Sequence, residues 1–374
     1  MINEGILKNE ERAVYTLRAL YSRYGYAPFK MSKFEEYDLY VRNKDFLISD
    51  GIITFTDAAG KLLALKPDVT LSIVKNFTAE KGRVDKLYYN ENVYRTASAT
   101  RNFKEIMQTG LECVGDIGLY DMCEVVTLAV KSLALMAEDS ILDVSHAALV
   151  SSLLDGIAAS PETKRDILDA VIRKSDDAVD SLYESGAISE KSAALIHALT
   201  ADYTDFNRAK EVLSPFALSD ESREALDELS AILAALEAQG LSKYININFS
   251  LIGSNSYYSG IVFKGYVKGI PDSVLSGGRY DGLMKRMGKN AGAVGFAVYL
   301  DHFERYGHTA REYDVDILLC KDADAPAASV IAAVESLSAG GETVLVQSAP
   351  NDSIRYRKLM RISAEGEVSE YGNA

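Results

Sequence analysis

Acidic, amide and hydroxyl side chains recur in strand-like segments of the first third of the chain. Asp68 and Thr70 stand at the end of the segment LKPDVT, where a carboxylate can bind a ligand ammonium group. Gln108 and Glu112 lie four residues apart in QTGLE, so on a strand their side chains point to the same side. Arg95, in VYRTA, adds a guanidinium between these segments.

Tyrosines and paired glycines follow further along the chain. In SNSYYSGIVF, Tyr257 and Tyr258 are adjacent, so a strand would present one phenol on each face. In LSGGRYDGLM, Gly277 and Gly278 would let the backbone approach a ligand closely, next to Tyr280. Taken singly, each feature has a structural explanation as sheet packing, a turn or a solvated strand face. Taken together along one sheet, they would suit a zwitterionic amino acid with a polar, protonatable side chain.

The surrounding pattern predicts an α+β fold built on an antiparallel sheet. Residues 85–97 and 105–115 are rich in strand formers and flank the polar loop Thr96–Lys104, which predicts a hairpin. Apolar residues at helical spacing predict a helix over residues 4–24, and another is expected from Thr70 onward. Polar and apolar residues alternate in YININFSLIG, which favours a strand with one polar face, suited to a sheet that lines a cavity.

Composition divides the chain into three parts. Residues 1–310 carry the strand-rich pattern and are expected to form the core domain. Within them, residues 158–241 are rich in alanine and charged residues and predict an all-helical insertion, which begins at the N-cap pair Ser160–Pro161. Residues 311–374 contain a strand, a helix and a second strand, which predicts a small C-terminal α/β appendage.

The overall composition excludes several classes of protein. A net charge of −14 makes a nucleic-acid surface less expected, although a local basic face would still permit RNA binding. Three scattered cysteines and four dispersed histidines form neither a disulfide framework nor a metal motif. No apolar run reaches the ~20 residues of a membrane span, and the N-terminus has no secretory apolar region. The composition therefore predicts a reduced, metal-free cytoplasmic protein without a cofactor.

The order of the motifs resembles that of histidyl-tRNA synthetases and of their non-synthetase paralogues, the regulatory subunits of ATP phosphoribosyltransferase. LALKPDVT is similar to the family's Leu-Arg-Pro-Glu/Asp-x-Thr stretch, and VYRTASATRNFKEIMQTGLECVG resembles the class II motif 2 hairpin. YYSGIVF and LSGGRYDGLM resemble the two histidine-specific motifs, and AVGFAVYLDHF resembles motif 3. The resemblance covers roughly residues 1–305 and implies a class II synthetase-like antiparallel sheet flanked by helices.

The resemblance also implies a histidine-binding site. Asp68, Thr70 and Gln108 would hold the ligand ammonium group, and Arg95 matches the motif 2 arginine. Glu112 and Tyr258 would bind the imidazole, because a carboxylate can accept the ring N–H and stabilise its charged form. The full set implied at this site is Asp68, Thr70, Arg95, Gln108, Glu112, Tyr257, Tyr258 and Tyr280.

Three departures from the synthetase pattern affect the parts that handle ATP. Gly253 stands where synthetases carry the arginine that neutralises charge at the α-phosphate, and a lost cation there costs ~3–4 kcal/mol. Tyr299 and His302 occupy the motif 3 positions that include the γ-phosphate arginine. The motif 2 loop reads TASAT and lacks the Glu-Arg-Pro-Gln run. A mostly neutral imidazole does not replace a bidentate guanidinium, so the departures predict loss of ATP chemistry.

The leading hypothesis from the resemblance is therefore a non-catalytic regulatory subunit of ATP phosphoribosyltransferase, in the first step of histidine biosynthesis. Its partners would be a short-form catalytic subunit, histidine as ligand and a second copy in a homodimer, without tRNA or membrane. The C-terminal appendage would correspond to a truncated anticodon-binding domain. Two alternatives remain open at this point: a degenerate but active histidyl-tRNA synthetase, and a stand-alone structural dimer.

Overall fold

The computed structural model of the protein describes most of the chain and separates two compact units, Met1–Tyr306 and Gly307–Ala374. The described residues are 7–43, 51–96, 102–252, 257–303 and 313–371. The helices are α1 Asn9–Arg23, α2 Tyr37–Arg42, α3 Thr70–Asn76, α4 Leu119–Met136, α5 Ala147–Asp155, α6 Pro161–Arg173, α7 Asp176–Glu184, α8 Glu190–Thr200, α9 Phe206–Leu213, α10 Asp220–Glu237, α11 Asp281–Arg286 and α12 Ala327–Ser338. Among these described helices, none combines the length and apolar composition that crossing a bilayer requires.

The strands form three sheets among the described residues. They are β1 Ala27–Pro28, β2 Phe34–Glu36, β3 Thr54–Thr56, β4 Leu62–Leu65, β5 Val84–Thr96, β6 Phe103–Gly115, β7 Ser140–His146, β8 Asp202–Tyr203, β9 Ile245–Asn248, β10 Ile261–Val267, β11 Leu275–Arg279, β12 Gly292–Tyr299, β13 Val315–Lys321, β14 Val344–Gln347, β15 Tyr356–Ile362 and β16 Val368–Glu370. The largest sheet has the order β1-β5-β6-β12-β11-β10-β7-β9-β8. Its neighbours run antiparallel except β1 beside β5 and β7 beside β9, which confirms the predicted antiparallel sheet.

The hairpin β5–β6 is the longest pair of strands in this sheet. Its strands pair continuously from Val84 opposite Gly115 to Thr96 opposite Phe103, which confirms the predicted hairpin. The loop at its tip, residues 97–101, lies outside the described residues. Helix α3 begins at Thr70, as the sequence predicts.

The two faces of the large sheet differ in chemistry. On one face, Leu111 and Cys113 of β6 join the main apolar core together with Tyr21 of α1 and Leu128 of α4. Strand alternation directs Glu112 to the opposite face, where the pairing sets β6 beside Gly295 of β12. The sheet therefore has an apolar side against α1 and α4 and a polar side that can hold a ligand.

The polar face of β9 has a different role from the one expected. The amide groups of Asn246 and Asn248 donate to the two carboxylate oxygens of Asp143 in the adjacent strand β7, at 3.0 and 2.8 Å. The expectation that this face lines a cavity is therefore wrong. Its polar side chains satisfy one another across the strand pair, which removes the cost of burying Asp143.

Helices α6 to α10 occupy residues 161–237, where the sequence predicts the insertion. Ser160 accepts a hydrogen bond from the Thr163 amide at 3.1 Å, and Ser189 and Ser219 cap α8 and α10 in the same way. The two-residue strand β8 interrupts this helical segment and pairs with β9. Leu226 and Leu229 of α10 belong to the same apolar core as the large sheet.

The C-terminal unit contains one helix, α12, and a sheet of order β14-β13-β15-β16 among its described residues. Strand β13 is parallel to β14 and β15, and β15 is antiparallel to β16. Its small core unites Leu319, Val330, Ala333 and Ile362. The strand–helix–strand part matches the predicted pattern, whereas β15 and β16 come from a tail whose sequence is ambiguous.

Candidate functional site

A cavity on the polar face of the large sheet gathers most of the residues proposed from the sequence. Seven of the eight line it: Asp68, Thr70, Gln108, Glu112, Tyr257, Tyr258 and Tyr280. They come from α3 and the residue pair before it, from β6, and from the segments that flank β10 and β11. These positions therefore come together only after the central strands of the large sheet have paired.

Glu112 is the central acid of this cavity and is almost fully buried, with 2% of its surface exposed. Its two carboxylate oxygens accept hydrogen bonds from the Thr70 hydroxyl at 2.9 Å and from the Tyr280 hydroxyl at 2.6 Å. Burial raises the pKa of Glu112 to about 8, because the surroundings penalise its charge more than these two donors relieve it. Without a ligand, Glu112 is therefore mainly protonated at neutral pH.

Asp68 is the second buried acid. One of its oxygens accepts a hydrogen bond from the Leu71 amide at 3.0 Å, which holds the carboxyl group at the start of α3. Burial raises the pKa of Asp68, and the Leu71 amide and the nearby Arg95 charge oppose that rise. The cavity thus contains two carboxyl groups whose ionisation is penalised, a condition that a cationic ligand would relieve.

Arg95 differs from the other proposed residues in its position. It is half-buried, and its Nε donates to the Pro67 carbonyl at 2.9 Å, just before Asp68. It does not belong to the described residues that line the cavity. Its charge acts on two lining residues, because it opposes the rise that burial causes in the pKa of Asp68 and in the pKa of Tyr299.

The side-chain amide nitrogen of Gln108 is buried and, among the described residues, has a free hydrogen-bond donor. The side chain is 3% exposed, and its Nε2 has no hydrogen-bond partner within the described parts of the chain. Buried amide groups without a partner are uncommon in native proteins, because the lost hydration costs about 1–3 kcal/mol. This group is therefore a candidate ligand contact.

The adjacent tyrosines do not alternate across a strand. Tyr257 and Tyr258 precede β10 in non-strand conformation, and both line the cavity with ring centroids 4.8 Å apart, edge to face. The expectation of one phenol on each face is therefore wrong, since the two-residue period applies only to extended strands. Burial raises the pKa of both phenols, so they act as neutral hydrogen-bonding groups.

The paired glycines meet the expectation only in part. A Cβ on Gly277 would lie 2.4 Å from the Gly295 carbonyl, and one on Gly278 would lie 2.6 Å from the Ile261 carbonyl. The absent side chains therefore make room for neighbouring strands, and Gly277 also lines the cavity, as expected, whereas Gly278 does not belong to the lining. Gly295 shows the same tightness, because a Cβ there would lie 1.8 Å from the Glu112 carboxylate.

Two further tyrosines line the cavity. Tyr89 of β5 is absent from the residues proposed from the sequence, and the β5–β6 register places it opposite Gly110, on the face that carries Glu112. Tyr299 of β12 is half-buried, and its hydroxyl lies 2.6 Å from the Ser276 hydroxyl. The cavity is thus surrounded by phenols, which supply polarity without charge.

The space inside this cavity is small. The centre of a water-sized sphere can occupy about 30 Å³ of it, which is room for about two or three water molecules. A second cavity of about 620 Å³ by the same measure lies between α5 and α6, but it is largely apolar and lacks the paired acids.

Of the three motif departures, the one in motif 3 falls on described residues. The ring of His302 lies 6.1 Å from that of Tyr299, and these described motif 3 positions carry an imidazole and a phenol where the resembling motif has a guanidinium. Gly253 and the loop residues 97–101 lie outside the described residues.

Solved structures of similar fold come from both named groups of the family. A Bacillus halodurans C protein described as an ATP phosphoribosyltransferase regulatory subunit/histidyl-tRNA synthetase has a TM-score of 0.73 at 22% identity, covering 95% of this chain and 94% of its own. The histidyl-tRNA synthetase of Nostoc sp. PCC 7120 has a TM-score of 0.66 at 17% identity, covering 96% and 92%. These likenesses confirm the predicted class II synthetase-like fold.

Sequence comparison identifies the family. A curated relative from Alkaliphilus metalliredigens, named ATP phosphoribosyltransferase regulatory subunit, is 28% identical over 293 residues, 77% of this chain and 74% of that protein. A protein of the same name from Moorella thermoacetica is 32% identical over 253 residues, 66% and 64% of the two chains. The family model described as histidyl-tRNA synthetase matches residues 4–303. The chain therefore belongs to the histidyl-tRNA synthetase family, as its motifs predict.

Proposed function

We propose that this protein is a non-catalytic regulatory subunit of ATP phosphoribosyltransferase, the enzyme of the first step of histidine biosynthesis. The names of the curated relatives support this function. A solved complex from Thermotoga maritima, described as ATP phosphoribosyl transferase (HisG:HisZ), contains a chain of the same fold, with a TM-score of 0.61. The proposed partner is a short-form catalytic subunit, and a biosynthetic role with that enzyme implies the cytoplasm.

The proposed ligand of the cavity is histidine. The observation that carries this assignment is the pair of buried carboxyl groups, Asp68 and Glu112, both with raised pKa values, in one cavity. The ammonium group of histidine would compensate Asp68, with Thr70 and Gln108 as further contacts. Its imidazole would compensate Glu112, because a charged ring N–H can donate to that carboxylate.

The tyrosines and Arg95 complete the proposed site. Tyr258 would bind the second imidazole nitrogen, and Tyr257 and Tyr280 would enclose the ring. Tyr280 already donates to Glu112, so it would also fix the orientation of that carboxylate. Arg95 would act indirectly, because its positive charge favours the ionised form of Asp68.

Regulation requires that histidine bind two states of the complex with different affinity. The small cavity offers a physical basis for such a difference, because its lining comes from separate strands whose spacing sets the room for a ligand. Any change in the complex that widens the cavity would raise the affinity for histidine. The same linkage means that histidine would favour that wider state.

A homodimer is the proposed assembly of the regulatory chain. The small sheet β2-β4-β3 exposes Phe34 and Phe55, whose ring centroids are 5.8 Å apart, and it exposes Leu62 on its central strand β4. Phe34 lies in KFEEYDLYVRNKD, where class II proteins form their dimer interface, and its strand β2 pairs with β4. Exposed aromatic side chains in one patch are typical of such interfaces.

We propose that the C-terminal unit is related to the anticodon-binding domain. Its parallel core β14-β13-β15 with one helix supports this proposal, because it has the α/β character of that domain in a short segment. The proposed domain organisation remains residues 1–310 for the core, 158–241 for the helical insertion and 311–374 for this appendage.

Reconstitution with a short-form catalytic subunit tests the proposed function. The two proteins should co-elute in size-exclusion chromatography, and histidine should change the rate of ATP phosphoribosyltransferase activity in the mixture. Glu112→Gln should retain the complex and lose the histidine response, because the amide keeps the shape of the side chain and loses its charge. The control is Glu224→Gln, an exposed position on α10. A missing complex, or a Glu112→Gln complex with the full histidine response, would reject the proposal.

The synthetase alternative is separated by a second assay. Histidine-dependent exchange of pyrophosphate into ATP measures the activation step that every working synthetase performs. Tyr299 and His302 supply no bidentate guanidinium at motif 3, so we expect no exchange above background. Appreciable turnover would establish the synthetase activity.

A further inference from the structure

The lining of the histidine cavity has an unbalanced charge. Among the described residues that line it, Asp68 and Glu112 are acidic and none is lysine, arginine or histidine. The remaining polar groups are tyrosines, Thr70, Ser276 and Gln108, which are neutral. A zwitterionic amino acid needs partners for a carboxylate as well as for an ammonium group, and this lining offers a charged partner to the cationic end alone.

The described arginine whose charge acts on this cavity does not belong to its lining. Arg95 lies outside the cavity lining, its Nε is bound to the Pro67 carbonyl at 2.9 Å, and its charge favours the ionised form of Asp68. A ligand carboxylate near Arg95 would share a positive charge that already favours the ionised form of Asp68. One guanidinium would then balance only one of the two carboxylates.

We propose, on the basis of the histidine-binding function above, that this cavity selects imidazole-bearing amines and does not require the α-carboxylate. Asp68 binds the ammonium group of the ligand, and Glu112 binds its imidazole. Once a bound imidazolium favours the ionised form of Glu112, the α-carboxylate would share the cavity with two other carboxylates, and like charges repel each other. Amines and amino alcohols with an imidazole side chain should therefore bind at least as tightly as histidine itself.

The unpartnered Gln108 amide is consistent with this selectivity. Its Nε2 can donate to a hydroxyl oxygen as well as to a carboxylate oxygen. A neutral donor discriminates between these two acceptors less than a guanidinium does, since charge-assisted hydrogen bonds are about twice as strong. Gln108 can therefore hold an amino alcohol in the position of the amino acid.

Calorimetric titration of four matched compounds into the full-length protein tests this inference. L-Histidine carries all three groups, L-histidinol replaces the carboxylate by a hydroxymethyl group, histamine lacks it, and imidazole-4-propionate lacks the ammonium group. We expect histidinol and histamine to bind within threefold of histidine or more tightly, and imidazole-4-propionate at least 30-fold more weakly. Histidinol and histamine that bind tenfold or more weakly than histidine would overturn the inference and leave the proposed histidine site intact.

The other outcomes separate the inference from the proposed function. If histidinol and histamine bind and histidine does not, the inference stands and histidine sensing at this cavity is rejected. If none of the four compounds binds, both the inference and the proposed histidine site are rejected. Arg95→Gln provides a second readout, because the ratio of the histidine and histamine dissociation constants should stay within twofold of the wild-type ratio. A selective loss of histidine affinity in Arg95→Gln would show that Arg95 binds the carboxylate and would overturn the inference.

Discussion

Replacing Glu112 by glutamine should change how the stability of the protein depends on pH. The pKa of Glu112 is raised to about 8 in the folded protein, against about 4.3 in an unfolded chain. Between these two values the folded state keeps a proton that the unfolded state has released. The free energy of unfolding must therefore fall as pH rises, by about 1.4 kcal/mol per pH unit from this group.

The size of the effect follows from that slope. Between pH 6 and pH 7.5, the contribution of Glu112 should fall by about 2 kcal/mol. Glu112→Gln removes the titrating proton and keeps a hydrogen-bonding group near Thr70 and Tyr280, so its stability should depend less on pH by that amount. Asp68 also has a raised pKa and is present in both proteins, so it enters the difference only through its electrostatic coupling to Glu112.

Urea unfolding followed by circular dichroism at 222 nm is the suitable assay, since the chain has no tryptophan. Unfolding curves at pH 6.0 and 7.5 give the pH dependence for the wild type and for Glu112→Gln. Glu224→Gln, at an exposed position, should keep the wild-type dependence. Equal pH slopes in the wild type and in Glu112→Gln would refute the reasoning that burial keeps this carboxyl group protonated.

Two further predictions concern buried positions of the same unit. Lys66 is 1% exposed and forms an ion pair with Glu91. Lys66→Met should destabilise the protein by about 3–5 kcal/mol, measured by urea unfolding, because it leaves the largely buried Glu91 carboxylate without its charged partner. Adding Glu91→Gln to Lys66→Met should restore part of that loss, and a double variant as unstable as the single one would contradict the pairing. Gly295→Ala would bring a Cβ within 2.5 Å of the Leu111 carbonyl and against Glu112, so we expect a loss of about 1–3 kcal/mol. Gly340→Ala, where a Cβ meets nothing within 4 Å, should be nearly neutral, and equal melting temperatures for the two alanine variants would refute the packing argument.

The fold and most of the site could be predicted from the sequence because the relevant signals are local. Gln108 and Glu112 are separated by an even number of residues in a long strand, so the period of two placed them on one face. The start of α3 at Thr70 followed from a similarly local change of pattern. The order of these motifs along the chain then identified the family.

The remaining features depend on contacts between distant segments. Tyr257 and Tyr258 lie before β10 rather than within it, so strand alternation gave the wrong orientation for one of them. Tyr89 enters the cavity through the register of β5 on β6, which a sequence does not fix when the hairpin loop is long. The tightness at Gly277 arises from the carbonyl of Gly295 on a neighbouring strand, which no local pattern reveals.

The network of Glu112 also could not be read from the sequence. Its two hydrogen-bond donors, Thr70 and Tyr280, lie 42 residues before it and 168 residues after it. Its pKa depends on complete burial by strands from both halves of the unit. Such a shift is a property of the closed sheet rather than of any segment.

The most direct test of the central claim is a calorimetric titration of the purified protein, first with histidine and then with ATP. We predict saturable binding of histidine and no binding of ATP, and Glu112→Ala should weaken histidine binding by about 1.5–3 kcal/mol, as expected for the loss of a hydrogen bond to a charged group. Saturable ATP binding, or an unchanged histidine affinity in Glu112→Ala, would contradict the account.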